Sequence, residues 1–564
     1  MRSRRTMFDL LVCLSLFNML LLRIWAQLLP AVVNPANLYY MEEAPHRIHY
    51  PLVLWSLVAA AALATAFAAR ARRSRRPWPR AVARGALVVL ALAALNSLAS
   101  QLPSETLGVL AGSKGRLAEA LLGITAAATL VATLWLRPRW VYSAIEVFAI
   151  IGLPFLLMTV GQAIWTFAGH EPGRFAGGVL TSDPPAALLP SRQSGAPRVV
   201  WIVFDELDQR ALFTARHPGL ELPEFDRLRA ESFVALNAFA PARETRRSMA
   251  SMLLGRQVSW ALPSGPSTLP CTIEGGGEEE AVDDCWTQFP NLFQRVRESG
   301  ANAGVSGWYH PYCRLFADAL TACTWAGLPY WNSPRVRDSF DQQWHEIVKP
   351  LPLASRWLRP GTRIRLAHRD AFERILAAAL EMAPDPDLGF AMLHFPVPHH
   401  PDIYDPERES LSLTDRRSYF DNLALADRTL GEVRTVMEAA GLWDASIVIV
   451  SSDHWWRAIH RGDWGLTPEE ELVFADERDR RIPFLLKLAN QHETSVYPRA
   501  FNTLLVHDLI LDLLAGGGST PASVADWLDE RRATAPVPYL SPARRPSVGR
   551  ATRGIEVNRS SDSG

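Results

Sequence analysis

The chain has 564 residues, with 58 Lys+Arg against 58 Asp+Glu, so its formal net charge is zero. That balance excludes the basic excess of a general nucleic-acid binder, and the length leaves room for more than one domain. The 48% apolar fraction is uneven: long apolar runs fill residues 1–169, and the remainder reads as a soluble domain.

Five runs are long enough for a helix to cross a bilayer, which takes about 20 residues. They are Leu10–Val33, Leu52–Ala69, Ala81–Ala99, Leu117–Leu136 and Val141–Phe167. The first does not resemble a cleavable signal peptide, because further spans follow it. Arg2, Arg4 and Arg5 precede the first run, seven arginines cluster between Arg70 and Arg84, and Arg137 and Arg139 separate the last two runs. The alternate loops hold only Arg47, and Lys114 with Arg116. The positive-inside rule then puts the N-terminus in the cytoplasm and everything after Phe167 outside it. The expected location is the inner cell membrane, multi-pass.

Residues 170–197 include the stretch "TSDPPAALLPSRQSGAP", a Pro/Ser/Gly-rich linker. A regular domain is expected over 198–515, with a C-terminal helix and disordered tail over 516–564. "RVVWIVFDE" is a strand ending on Asp205 and Glu206. "LPEFDRLRAESF" and "FPNLFQRVRESG" have helical spacing, "ANAGVSGWY" is a weaker strand and "LGFAMLHFPV" a good one. "SYFDNLALADRTLGEVRTVMEAAG" is a long amphipathic helix leading into the strand of "VIVSSDHWWRAIH". Alternating strands and helices predict an α/β domain, a mostly parallel sheet sandwiched by helices.

Cys13 falls in the first apolar run. Cys271, Cys285, Cys313 and Cys323 fall in the soluble part as two near-neighbour pairs. Outside the cytoplasm, local disulfides Cys271–Cys285 and Cys313–Cys323 are expected; four free thiols or a zinc site would fit the same residues.

Chemistry-bearing groups gather at strand ends. Asp205 follows "WIVF", His394 follows "FAML" with His399 in "HFPVPHHPDIY", and Asp453-His454 follow "IVIVSS". Ligands bind at the carboxyl ends of parallel strands, and Asp with His makes a metal-ligand pair. A single strand-end Asp is more often a turn former or helix cap. In "FAPARETRRSMASMLLGR", Thr245 sits where a helix begins. It reads either as an N-cap or as a nucleophile beside a helix N-terminus that favours an anion, with Arg243, Arg246 and Arg247 adding positive charge. Trp455 and Trp456 read as packing at the rim, or else as the wall of an acceptor or lipid-headgroup pocket. "GWYHPYCRLF", with His310, reads as a structural loop or a wall of the site.

The order of these motifs resembles the alkaline phosphatase superfamily, in its sulfatase-like branch, over roughly residues 198–515. The preceding spans are similar to those of the membrane-anchored phosphoethanolamine and glycerol-phosphate transferases. The resemblance implies that Asp205, Thr245, Asp453 and His454 bind a divalent metal, zinc or manganese, with Thr245 as nucleophile. It implies a substrate-binding or second-metal role for His399, which His394 could share, and a substrate-binding role for His460, a looser match. It also implies transfer of a substituted phosphoryl group from a phospholipid donor to an envelope glycan or lipid acceptor, with hydrolysis by the same fold, or a non-catalytic assembly role, as alternatives. The chain lacks a Cys-x-Pro-Ser-Arg motif, has Trp455 where the family carries Gly after "SDH", and lacks a cysteine-rich nucleophile segment.

Overall fold

The computed structural model describes residues 2–29, 35–42, 46–99, 138–169, 185–190, 196–275, 278–327, 336–348, 361–413, 418–457 and 466–538. The N-terminal part is helical: α1 (Arg2–Leu20), α2 (Leu22–Leu28), α3 (Pro35–Tyr39), α4 (His49–Arg73), α5 (Trp78–Ala99), α6 (Pro138–Ile151) and α7 (Leu153–Phe167). Among the described residues, three stretches are long and apolar enough to cross a membrane: α4, α5 and the continuous stretch of α6 and α7. The first expected span is instead two helices, α1 and α2, bent by 62°, and would make a fourth if it crosses as one. Beside the break, the buried Asn18 side chain accepts from Trp25 and Thr159, each at 2.9 Å. The expected fourth span, Leu117–Leu136, lies outside the described residues.

The remaining part is built on a nine-stranded sheet. Its strands are β1 (Val199–Asp205), β2 (Phe233–Phe239), β3 (Asn302–Trp308), β4 (Ala322–Ala326), β5 (Leu388–Pro398), β6 (Ile447–Ser452), β7 (Arg481–Lys487), β8 (Ser495–Tyr497) and β9 (Phe501–Asn502). The order is β8-β2-β7-β6-β1-β5-β3-β4, with β9 also on β2. β1 runs parallel to β5 and β6, and β3 parallel to β5 and β4. β7 is antiparallel to both neighbours, so the sheet is mixed though mostly parallel.

Both faces of β1 are covered, which is why its sequence is a continuous apolar run rather than an alternation. Val199, Trp201 and Val203 enter one core, and Val200, Ile202 and Phe204 the other. α8 (Thr245–Leu254) packs in the first core through Met249, Met252 and Leu253. α9 (Gly361–Met382) and α10 (Tyr419–Ala439) pack on the opposite face. A capping box starts α10: the Ser418 hydroxyl accepts from the Asp421 amide, and the Asp421 carboxylate accepts from the Ser418 amide. Beyond residue 515, Val524, Trp527 and Leu528 pack into the same core as β1.

Two features tie the molecule together. Cys271 and Cys285 lie at disulfide distance with Cα atoms 5.9 Å apart, and so do Cys313 and Cys323 at 5.5 Å. The α3 segment also docks onto the sheet-containing part. Arg314 donates to the carbonyls of Leu38 (3.2 Å), Tyr39 (3.0 Å) and Met41 (3.1 Å), and Arg374 pairs with Glu42.

Candidate active site

β1 ends on Asp205, β6 hands on to Asp453 and His454, and α8 begins with Thr245. These converge on one rim because β1 and β6 are adjacent and parallel, so their carboxyl ends point the same way. His454 Nε2 lies 3.5 Å from Asp205 Oδ1, 3.4 Å from Asp453 Oδ2 and 3.4 Å from Thr245 Oγ1. Single ligand atoms of Asp205, Asp453 and His454 all fall within 4.8 Å of one another, and all three residues are buried.

Neighbouring groups fix each side chain. Trp308 Nε1 donates to Asp205 Oδ2 at 2.7 Å. The amides of Glu206 and His454 donate to Asp453 Oδ1 at 3.1 and 2.7 Å. His454 Nδ1 lies 3.0 Å from the Trp455 carbonyl, to which it can only donate, so its Nε2 lone pair faces the cluster. The Ser248 hydroxyl, one turn into α8, donates to the Asp453 carbonyl and joins the two loops. Glu206 holds a left-handed backbone (φ 65°), and its carboxylate accepts from Arg457 at 3.1 Å.

Asp205 Oδ1 and Asp453 Oδ2 have no hydrogen-bond partner among the described residues. Two buried carboxylate oxygens left over beside an imidazole lone pair form a donor set that fits a divalent cation. The electrostatics agree. Burial, then the neighbouring Glu206, pushes Asp205 up to about 7. Burial, then Asp205, pushes Asp453 well above the usual carboxylate range. A cation between them would reverse both effects.

Thr245 is not the N-cap of its helix. Glu244 takes that position with extended backbone (φ −147°, ψ 145°) and makes no side-chain cap bond, which leaves the Thr245 hydroxyl to face His454. Arg246 and Arg247 both pair with Glu244, at 3.2 and 2.9 Å, so part of the positive charge beside the helix start is already compensated.

The histidines divide. His399 is half-buried, and its amide donates to the Asp205 carbonyl at 3.0 Å. His394 is fully buried inside β5, its Nδ1 3.0 Å from the Tyr312 hydroxyl, and is not among the grouped ligands. His460 lies outside the described residues. Trp455 and Trp456 are both buried, and Trp456 stacks on Phe474 at 4.0 Å.

The segment 308–312 is a wall of the site. Besides Trp308, it supplies Tyr312 and the fully buried His310, which burial pushes down to about 3 and so keeps neutral. An apolar strand running straight into a Trp-Tyr-His cluster was the available signal in the sequence.

No family model and no curated protein matches the chain. Solved structures do resemble it. A protein in the alkaline phosphatase superfamily from Vibrio parahaemolyticus is 14% identical, over 62% of this chain and 72% of that one, with a TM-score of 0.33. The phosphonate monoester hydrolase of Agrobacterium radiobacter is 14% identical over 57% and 74%, with a TM-score of 0.34. The lipoteichoic acid synthase LtaP from Listeria monocytogenes is 13% identical over 58% and 75%, with a TM-score of 0.36. These likenesses are loose, and the chain's own residues carry the reading of the site.

Proposed function

We propose that this protein is a membrane-embedded, metal-dependent transferase. It moves a substituted phosphoryl group from a phospholipid to an envelope glycan or lipid through a covalent Thr245 intermediate. The observation that carries this reading is the position of the Thr245 hydroxyl, 3.4 Å from His454 Nε2, within a buried cluster completed by two carboxylates.

Asp205, Asp453, His454 and Thr245 would hold the metal, zinc or manganese given the imidazole ligand. When bound, the metal lowers the pKa of the threonine hydroxyl and offsets charge on the transferring group. Thr245 Oγ attacks the phosphorus of a phosphodiester, the bond to the lipid alcohol breaks, and the departing oxygen takes up a proton. An acceptor hydroxyl then displaces Thr245 and gives up its own proton. The N-terminus of α8 turns backbone amides toward the anion. His399, held beside Asp205 through its backbone, would contact the substrate, with His394 and His460 as the other expected substrate-binding histidines.

The docked α3 segment bears on topology. Segment 35–42 touches the catalytic part, so both lie on one side of the bilayer. Only three described crossings separate them, α4, α5 and α6–α7, which by themselves would put them on opposite sides. The five-span reading, with Leu117–Leu136 crossing, puts them together, and the arginine bias makes that side extracytoplasmic.

The test is intact-mass measurement of the full chain after exposure to phospholipid vesicles. An added mass mapping to Thr245, absent in Thr245→Ala, is expected, and its value names the transferred group. No adduct, with Thr245→Ala as active as wild type, would overturn the reading.

A further inference from the structure

Tyr39 belongs to the segment between the first two apolar helical regions, yet its side chain is fully buried in the core of the catalytic part. Its hydroxyl stands between two partners. Trp286 Nε1 donates to it at 3.0 Å, and His310 Nδ1 lies 2.7 Å away. An indole N–H only donates. The phenol oxygen therefore accepts from Trp286, and its single proton is available to His310 Nδ1, the other polar atom within reach. A neutral imidazole that accepts at Nδ1 carries its proton on Nε2.

That Nε2–H is fully buried beside the Thr245 and Arg246 backbone and has no hydrogen-bond partner among the described residues. The turn it faces carries the nucleophile. We propose that Tyr39 is a positioning residue of the active site: it fixes His310 as the Nε2–H tautomer, which sets a buried donor, and not a lone pair, against the Thr245–Arg246 turn.

Three observations show that the segment is built in rather than resting on the surface. Arg314 reaches three carbonyls at the end of α3, those of Leu38, Tyr39 and Met41. The Glu42 carboxylate accepts from the Gly327 amide at 2.9 Å, and a Cβ at Gly327 would collide with the Tyr40 carbonyl. The Tyr40 hydroxyl meets that of Tyr309 at 3.3 Å, and Tyr309 holds φ 79°, a backbone conformation that bulky L residues keep only when their surroundings impose it. The catalytic centre is thus completed by the membrane half of the chain, and an isolated catalytic part would lack the group that orients its nucleophile.

This rests on the proposed reaction at Thr245, so the experiment has one arm that needs no turnover. The full chain in detergent is assayed on bis(p-nitrophenyl) phosphate and examined by hydrogen exchange. Tyr39→Phe should lower kcat by about tenfold or more while KM stays within about twofold, because misplacement of a reacting group is felt in the chemical step. Exchange should quicken in peptides covering 243–250 and not in those covering 419–439. Adding His310→Gln to Tyr39→Phe should recover most of the loss in both readouts, since a glutamine amide donates without needing the phenol proton.

A Tyr39→Phe variant with wild-type kcat and wild-type exchange would overturn the proposal. So would a loss accompanied by faster exchange throughout and no recovery in the double variant, which is the signature of a merely structural tyrosine. If the wild-type chain turns over no phosphodiester, the proposed reaction fails on its own; localised, recoverable exchange at 243–250 still supports the relay, and its absence refutes it.

Discussion

Trp308 donates its indole N–H to Oδ2 of Asp205 at 2.7 Å, and so decides which oxygen of that carboxylate is left over. The spare oxygen, Oδ1, is the one 3.5 Å from His454 Nε2. A side chain on β3 thereby aims a ligand on β1, two strands away across β5.

Trp308→Phe keeps an aromatic side chain but removes the donor, which frees the Asp205 carboxylate to rotate. Loss of such an outer partner typically costs about 10–100-fold in metal affinity. Chelator competition with zinc or manganese should show that loss, with melting of the metal-free chain changed far less. Unaltered affinity would mean that Trp308 does not orient Asp205.

Variants at the centre should separate by mechanism. Thr245→Ala should abolish turnover yet keep most of the metal, since one ligand of several is lost. Asp453→Ala and His454→Ala should abolish turnover by losing it, so metal content falls further in these two. Thr245→Ser should retain part of the activity, because the hydroxyl survives. An N-cap role is already displaced onto Glu244. Near wild-type turnover in Thr245→Ala would end the mechanism.

The strand-end acids were legible because parallel strands buried on both faces leave continuous apolar runs, and Asp205 and Asp453 close two of them. Thr245 was legible through the helix that it opens. The surroundings were not. Tyr39 and His310 meet across 271 residues of sequence, and Trp308 and Asp205 across 103, separations that no local periodicity encodes. His310 looked like part of a loop because its partners lie on other elements. The bend between α1 and α2 has no proline or glycine at Leu20–Leu22 to announce it.

Acid should unfold this protein steeply. Burial, as the first cause in each case, pushes His310, His368 and His394 down to about 3. An unfolded histidine titrates near ~6.5. Between these values the unfolded chain binds more protons, so stability is full above pH ~6.5 and is lost as pH falls toward ~3. Each histidine contributes a slope of up to about 1.4 kcal/mol per pH unit. The raised Asp205 and Asp453 act with opposite sign, favouring the folded state at low pH and losing that contribution as pH rises. Denaturant titrations on metal-saturated protein, where that opposing contribution is suppressed, should show the acid slope, and His368→Gln should reduce it by about one proton's worth. An unchanged slope in His368→Gln would show that this histidine is not held neutral.

One cysteine pair borders the site wall: Cys313 is next to Tyr312, which holds His394. Peptide maps without reductant should show Cys271 linked to Cys285 and Cys313 linked to Cys323. The linked cysteines are 14 and 10 positions apart, so reduction should lower stability by about 2–4 kcal/mol per bond. Free thiols at all four positions in protein taken from its native envelope would refute this.

Topology is testable at two points that must agree. Tyr39 and Tyr40 pack against His310 and Tyr309, so a label reaching the loop after α3 must also reach the catalytic part. The arginine-rich stretch Arg70–Arg84, which spans the end of α4 and the start of α5, would lie one crossing away from that loop and should be shielded from the same reagent. Single cysteines at Arg47, Arg75 and Glu477, placed in a chain with Cys13→Ala, report the three positions through an impermeant maleimide on intact cells. Labelling at Arg47→Cys and Glu477→Cys but not at Arg75→Cys is expected. Labelling at Arg47→Cys alone would place the catalytic part on the far side of the bilayer from the segment that it embraces. That outcome is incompatible with the contacts of Tyr39, and with them would fall both the extracytoplasmic assignment and the transfer to an envelope acceptor.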